Sequence, residues 1–182
     1  MASESFYLCA IVAPGSVEAE VGRVQAALFS DHGLVSAQAV PPMVPVAFLD
    51  PGRIPRGLLS RLDQRVQAGW SACLAETAWV EGHLYARVES SGTWSALRAG
   101  AMEECGLPGA GLFPAAEGFY LGCADAPADG RSSIRPRVEP RRFRTAQLAL
   151  VALQTLAPGP AWWNELYWEI TEERPLRGRR ER

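Results

Sequence analysis

Two stretches of this chain follow the same order of apolar strand, amphipathic helix and apolar strand. That repetition restricts the fold more than any other feature. In the first stretch, residues 5–13 form a continuous apolar run closed by Pro14-Gly15, the pattern of a strand buried on both faces. Val17, Val21, Val24 and Leu28 then recur at helical spacing behind Ser16, a candidate N-cap, and Gly33 is placed to end the helix. Residues 40–49 are apolar and extended; Pro45 has no donor for a ladder, which predicts an edge strand or a kink. The second stretch repeats the order with residues 84–88, a helix carrying Trp94, Leu97, Ala101 and Cys105 behind Thr93 as its cap, and residues 117–124. Tyr7 corresponds to Tyr85 and Met43 to Gly118, an offset of about 75–78 positions. A period this long marks a duplicated half-domain rather than a solenoid.

The remaining segments fit around the two repeats. Leu58, Leu59, Leu62 and Val66 predict a short helix, and residues 70–78 and 79–88 predict two strands around a turn at Glu81-Gly82. Residues 126–140, rich in Pro, Gly, Ser and Arg, read as a surface loop. Residues 143–153 and 166–170 read as two further strands, and the charged tail from Glu172 as a fraying end. The expected architecture is α+β: one domain over residues 1–182 with two pseudo-symmetric lobes, antiparallel sheets facing a central groove, and helices outside.

Composition closes off several classes of function. With 48% hydrophobic and 21% charged residues, the chain has the makings of a core and is not of the disordered class. No apolar run approaches the ~20 residues that span a bilayer, and the first residues lack a basic segment followed by an apolar one. A cytoplasmic protein without a membrane partner is expected. The net charge of −2 predicts no strong global attraction to nucleic acid. All 18 basic residues are arginine, which excludes Schiff-base and P-loop lysine chemistry. Cys9, Cys73, Cys105 and Cys123 include no C-x-x-C pair and read as reduced thiols, so neither a metal nor a cofactor is expected. The only histidines are His32 and His83.

The order of elements, from Phe6 to about Arg174, resembles the 2H phosphoesterase superfamily, which includes LigT-type 2′-5′ RNA ligases and cyclic phosphodiesterases. In that family each lobe contributes a strand bearing His-x-Thr or His-x-Ser. Residues 42–50 (PMVPVAFLD) match the surroundings of the first motif, Gly118-Phe-Tyr-Leu-Gly122 occupies the place of the second, and residues 142–153 and 163–170 resemble the C-terminal strand pair. The resemblance implies that one motif histidine acts as general base and the other as general acid, with the hydroxyls holding the phosphate. Here Met43 and Gly118 stand in the histidine positions and Pro45 and Tyr120 in the hydroxyl positions. Methionine and glycine transfer no proton. Each well-placed acid or base is worth ~10²–10⁴ in rate, so the loss of both should remove most catalysis.

The expectation is therefore a catalytically inactive protein of this fold, with no catalytic residues. Its groove, lined by Met43, Pro45, Gly118, Tyr120 and His83, would serve a small ligand, a peptide or a protein partner. Two alternatives stand beside it. One is an RNA or cyclic-nucleotide phosphodiesterase with relocated groups, using Tyr120, an arginine and His83. The other is a non-catalytic RNA-binding module. Six arginines fall within residues 131–144: Arg131, Arg135, Arg137, Arg141, Arg142 and Arg144. They would contact phosphates, with Trp162, Trp163 and Trp168 available to stack bases. His32, at a helix end beside Asp31, reads as a cap for the helix dipole.

Overall fold

The structure, a computed structural model, describes residues 4–66, 71–90, 92–106, 111–123, 134–144, 146–156 and 161–177. The first repeat is β1 (Glu4–Val12), α1 (Gly15–His32) and β2 (Met43–Leu49). A short α2 (Leu58–Asp63) leads to the hairpin of β3 (Ala72–Val80) and β4 (His83–Glu89). The second repeat is β4, α3 (Thr93–Cys105) and β5 (Gly118–Cys123), and β6 (Arg141–Phe143), β7 (Gln147–Thr155) and β8 (Leu166–Pro175) complete the chain.

Among the described residues, eight strands make two antiparallel four-stranded sheets, ordered β2-β1-β7-β8 and β5-β4-β3-β6. The duplication is visible in this order: in each sheet the second strand of a repeat lies at an edge and the first lies beside it. The two edge strands, β2 and β5, are neighbours at the junction of the lobes. Pairing of β1 with β2 skips Val46, so Pro45 sits at a bulge on an edge strand, where its missing donor costs no ladder bond.

The helices cross between repeats. From α1, the Gln25 side-chain amide donates to the carbonyls of Val40 (3.1 Å) and Tyr120 (3.0 Å), tying it to β5. From α3, Trp94 Nε1 donates to Pro45 O (3.0 Å) and Arg98 Nη1 to Val46 O (3.0 Å), so the carbonyls at the bulge are satisfied from the other lobe. Behind the sheets, Val17, Val21, Val24 and Leu28 of α1, Leu58, Leu59 and Leu62 of α2, and Leu97 and Ala101 of α3 share one core with Ile11, Val44, Val46, Leu74, Leu84, Phe119 and Leu148.

Several sequence expectations are corrected. Helix α1 begins at Gly15 with Pro14 before it and no side-chain cap. At α3 the capping position is Gly92, and Ser90 Oγ accepts from the Trp94 amide (3.1 Å) in place of a Thr93 cap. Residues 143–153 are not one strand, because β6 belongs to the second sheet and β7 to the first, and the chain crosses between lobes after Phe143. The tail beyond Glu172 does not fray at once: β8 pairs with β7 as far as Pro175. There Leu176 is buried, and the Arg177 amide donates to Asp63 Oδ1 (2.7 Å). The hairpin turn forms at Glu81-Gly82 and the α1 C-cap at Gly33, both in left-handed conformation, as the sequence predicts. Part of the expected loop, residues 124–133 with Arg131, and the end of the tail from residue 178 lie outside the described residues. No disulfide joins the four cysteines.

Candidate functional site: a filled groove and a cavity at its end

Alternation along each strand sends one set of side chains to the helices and the other to the inner face between the lobes. Met43 and Tyr120 belong to the inner set, at 1% and 0% exposure. Pro45 and Gly118 are buried as well. Strands β2 and β5 are neighbours, and among the described residues these four side chains are buried rather than open to a groove. A second apolar cluster covers them: Leu8, Ala10, Met43, Phe48, Tyr85, Tyr120, Val151 and Leu153 pack with Phe113, from the loop before β5, and Trp162, from the 3₁₀ turn Trp162–Glu165.

Phe113 is the centre of this plug. Its ring lies 4.6 Å from Tyr120, 5.1 Å edge-on from Phe48, 5.5 Å from Trp162 and 6.5 Å from His83, centroid to centroid. Such separations are those of favourable aromatic pairs. The Tyr85 hydroxyl donates to Pro114 O and holds the loop down. Gly111 allows the loop backbone to press on Phe48, since a Cβ there would lie 2.3 Å from that ring. Gly118 is equally constrained: a Cβ would meet Ala86 O at 2.8 Å. The Tyr120 hydroxyl is buried without a hydrogen-bond partner, and burial raises its pKa well above the ordinary tyrosine value.

Space remains at one end of the plug. A cavity of about 490 Å³ is lined by Phe48, Phe113, Leu112, His83, Arg98 and Glu81, among others. Of the expected groove residues, His83 alone lies on it. Arg98 is held in place twice over, by its bond to Val46 O and by stacking at 5.3 Å over the Trp94 ring. Sequence reasoning missed Phe113, Arg98 and Glu81 as site residues. Glu81 was visible only as a turn position, and the two others fit no motif.

Burial lowers the pKa of His83 to about 4, so the imidazole is neutral near neutrality. The folded value lies below that of an unfolded histidine, about 6.5, so the unfolded chain takes up the proton first. Stability from this group is complete above pH 6.5 and is lost as the pH falls from there towards 4. Melting temperatures of the wild type and His83→Gln between pH 7.5 and 4.5 check this. The wild type should lose stability more steeply, and parallel curves would place the imidazole in water.

The other sequence candidates lie elsewhere. His32 is exposed in the last turn of α1. The arginines follow the outer edge of the second sheet: Arg135 and Arg137 on a segment bound to β3 through Thr77 Oγ1→Pro136 O (3.4 Å) and Trp79 Nε1→Ile134 O (3.0 Å), Arg141 and Arg142 in β6, and Arg144 just beyond. Glu20 anchors the same segment by accepting from the Glu139 amide (2.8 Å), and a bond from Arg23 holds its carboxyl down at about 2. Arg141 pairs with Glu139 (3.0 Å); among the described residues Arg137, Arg142 and Arg144 have no ion pair. Trp162 is core, Trp163 half-buried and Trp168 exposed. No three His, Cys, Asp or Glu side chains cluster closely enough to hold a metal among the described residues, and no described helix is long and apolar enough to cross a membrane.

No family model matches the chain, and no curated protein matches it in sequence. Solved structures do match. E. coli LigT complexed with NADP+ aligns over 93% of this chain and 96% of its own, with a TM-score of 0.54 and 17% identity. E. coli LigT in the apo form aligns over 96% and 98%, with a TM-score of 0.51 and 14% identity. The chain has the fold of LigT. Both curled antiparallel sheets and the helices belong to this LigT-like architecture. In this LigT-like chain β2 and β5 carry Met43 and Gly118, and Phe113 and Trp162 pack on the same face.

Proposed function

We propose that the chain is a non-catalytic LigT-fold protein that binds a small ligand in the cavity beside His83. One observation carries this reading: the inner-face positions of β2 and β5 hold no imidazole or carboxyl group, their one ionisable side chain is the fully buried Tyr120, and they lie beneath aromatic rings. The phosphodiesterase alternative needs Tyr120 and His83 to act together on a phosphate. Their rings are 5.9 Å apart, but the tyrosine is fully buried, and His83 has no second titratable imidazole to share acid and base roles with. The groove as first envisaged, open along Met43, Pro45, Gly118 and Tyr120, narrows in this reading to the cavity.

A second reading, RNA binding without chemistry, draws on the unpaired Arg137, Arg142 and Arg144 along the β3 edge. One experiment addresses both. Wild type and His83→Ala are incubated with 2′,3′-cyclic nucleotides and short 2′-5′-linked RNA, and the same RNA is titrated at low and moderate salt. No turnover is expected, and cleavage that disappears in His83→Ala would overturn the non-catalytic reading. RNA binding that weakens steeply with salt supports the arginine edge, and absent or salt-independent binding removes it.

A further inference from the structure

The cavity beside His83 contains two opposite charges that do not meet. Glu81 and Arg98 both line it, yet no ion pair joins them. Among the described residues the Glu81 carboxylate has no hydrogen-bond or ion-pair partner at all. Arg98 spends one N–H on Val46 O and is otherwise fixed by its stacking on Trp94, which leaves its remaining donors in a set position. His83 contributes a polar ring, and its Nδ1 is buried with no partner. Between these groups the walls are the rings of Phe48 and Phe113 with Leu112. The volume of about 490 Å³ falls within the range of small-molecule sites.

Glu81 is also in the wrong backbone conformation for its type. It is the one described non-glycine residue at positive φ (48°), in the first position of a hairpin turn that favours asparagine, aspartate or glycine. A residue held in a conformation that its side chain disfavours, at the rim of a cavity, points to use of that side chain.

We propose that the cavity binds a small zwitterion of amino-acid type, its acidic group on Arg98, its ammonium on Glu81 and its apolar body against Phe48 and Phe113. One fixed cation and one anion at the rim favour a ligand of zero net charge, and the Glu81 carboxylate repels polyanions. This proposal rests on the reading of the cavity as the ligand site.

The test is a ligand-observed NMR titration with three probes: L-phenylalanine, 3-phenylpropionate, which lacks the ammonium, and phenethylamine, which lacks the carboxylate. Phenylalanine should bind at least about tenfold more tightly than either truncated probe, since each charged hydrogen bond is worth about 10- to 100-fold. Arg98→Met should reduce phenylalanine to the level of phenethylamine, and Glu81→Asn to the level of 3-phenylpropionate. Glu81→Asn should also raise the melting temperature, so its loss of binding cannot be put down to unfolding. Equal binding of the three probes, or phenylalanine binding untouched by both variants, overturns the zwitterion assignment. A fragment screen read on the His83 and Phe113 resonances separates the two levels of inference. Fragments that shift them while phenylalanine does not leave the cavity as a ligand site and sink the zwitterion; no shift by any probe sinks both.

Discussion

Truncating Trp162 to alanine is expected to destabilise the protein by about 3–5 kcal/mol, the usual cost of removing a large buried aromatic side chain. The indole is 4% exposed and packs on Phe113 and Tyr120 at centroid distances of 5.5 and 6.2 Å. Its backbone carbonyl accepts from the buried Thr155 hydroxyl (3.1 Å), so the turn that carries it is fixed to the end of β7. Urea denaturation of Trp162→Ala and Trp162→Phe measures the effect, and the phenylalanine variant should recover most of the loss. A cost below about 1 kcal/mol would mean that the turn is a lid that lifts off the motif strands rather than core, and the filled-groove description would fail.

Gly118→His, which writes a motif histidine back into β5, is expected to unfold the protein or destabilise it by more than about 3 kcal/mol. The first atom of any side chain at this position already lies 2.8 Å from Ala86 O and 3.1 Å from Tyr85 Cβ, both on the central strand β4. Neither can yield without distorting the sheet, and an imidazole would also be buried without a partner. Gly118→Ala is the informative control, because it tests the clash alone and should cost about 1–3 kcal/mol. A change within about 0.5 kcal/mol would show that the strands relax easily at this point. If the cost is as expected, the packing of β5 on β4 excludes a histidine at this position.

The sequence made the duplicated architecture legible because each repeat carries a doubly buried strand and a helix with a clear apolar stripe. What it hid follows from the same physics. Strand β6 is three residues long and reads Arg-Arg-Phe, a pattern with no alternation to detect. Residues 172–175 of β8 look like a fraying tail because most of them are charged, yet an exposed edge strand pairs chiefly through its backbone, whatever its side chains. The plug was harder still to see. Phe113 lies among Gly, Leu and Pro in a loop without periodicity, and its partners Phe48 and Trp162 are distant in the chain. The sequence placed Met43 and Gly118 at the positions that the resemblance equates with its motifs, and only the three-dimensional arrangement showed Phe113 and Trp162 packed over that face.

The order of strands in the first sheet also governs how the molecule can be made. Strand β1 is made before the rest of its sheet, and β7, its neighbour on one side, is encoded about 135 residues later. At ordinary synthesis rates of ~5–20 residues per second, that strand waits roughly 7–30 s with one edge and one apolar face open. The partner for α1 on β5 is also still to come. A nascent chain of this design cannot complete its first sheet until β7 and β8 are made, and holdase chaperones acting on its first half should determine its yield more strongly than the stability of the finished protein does.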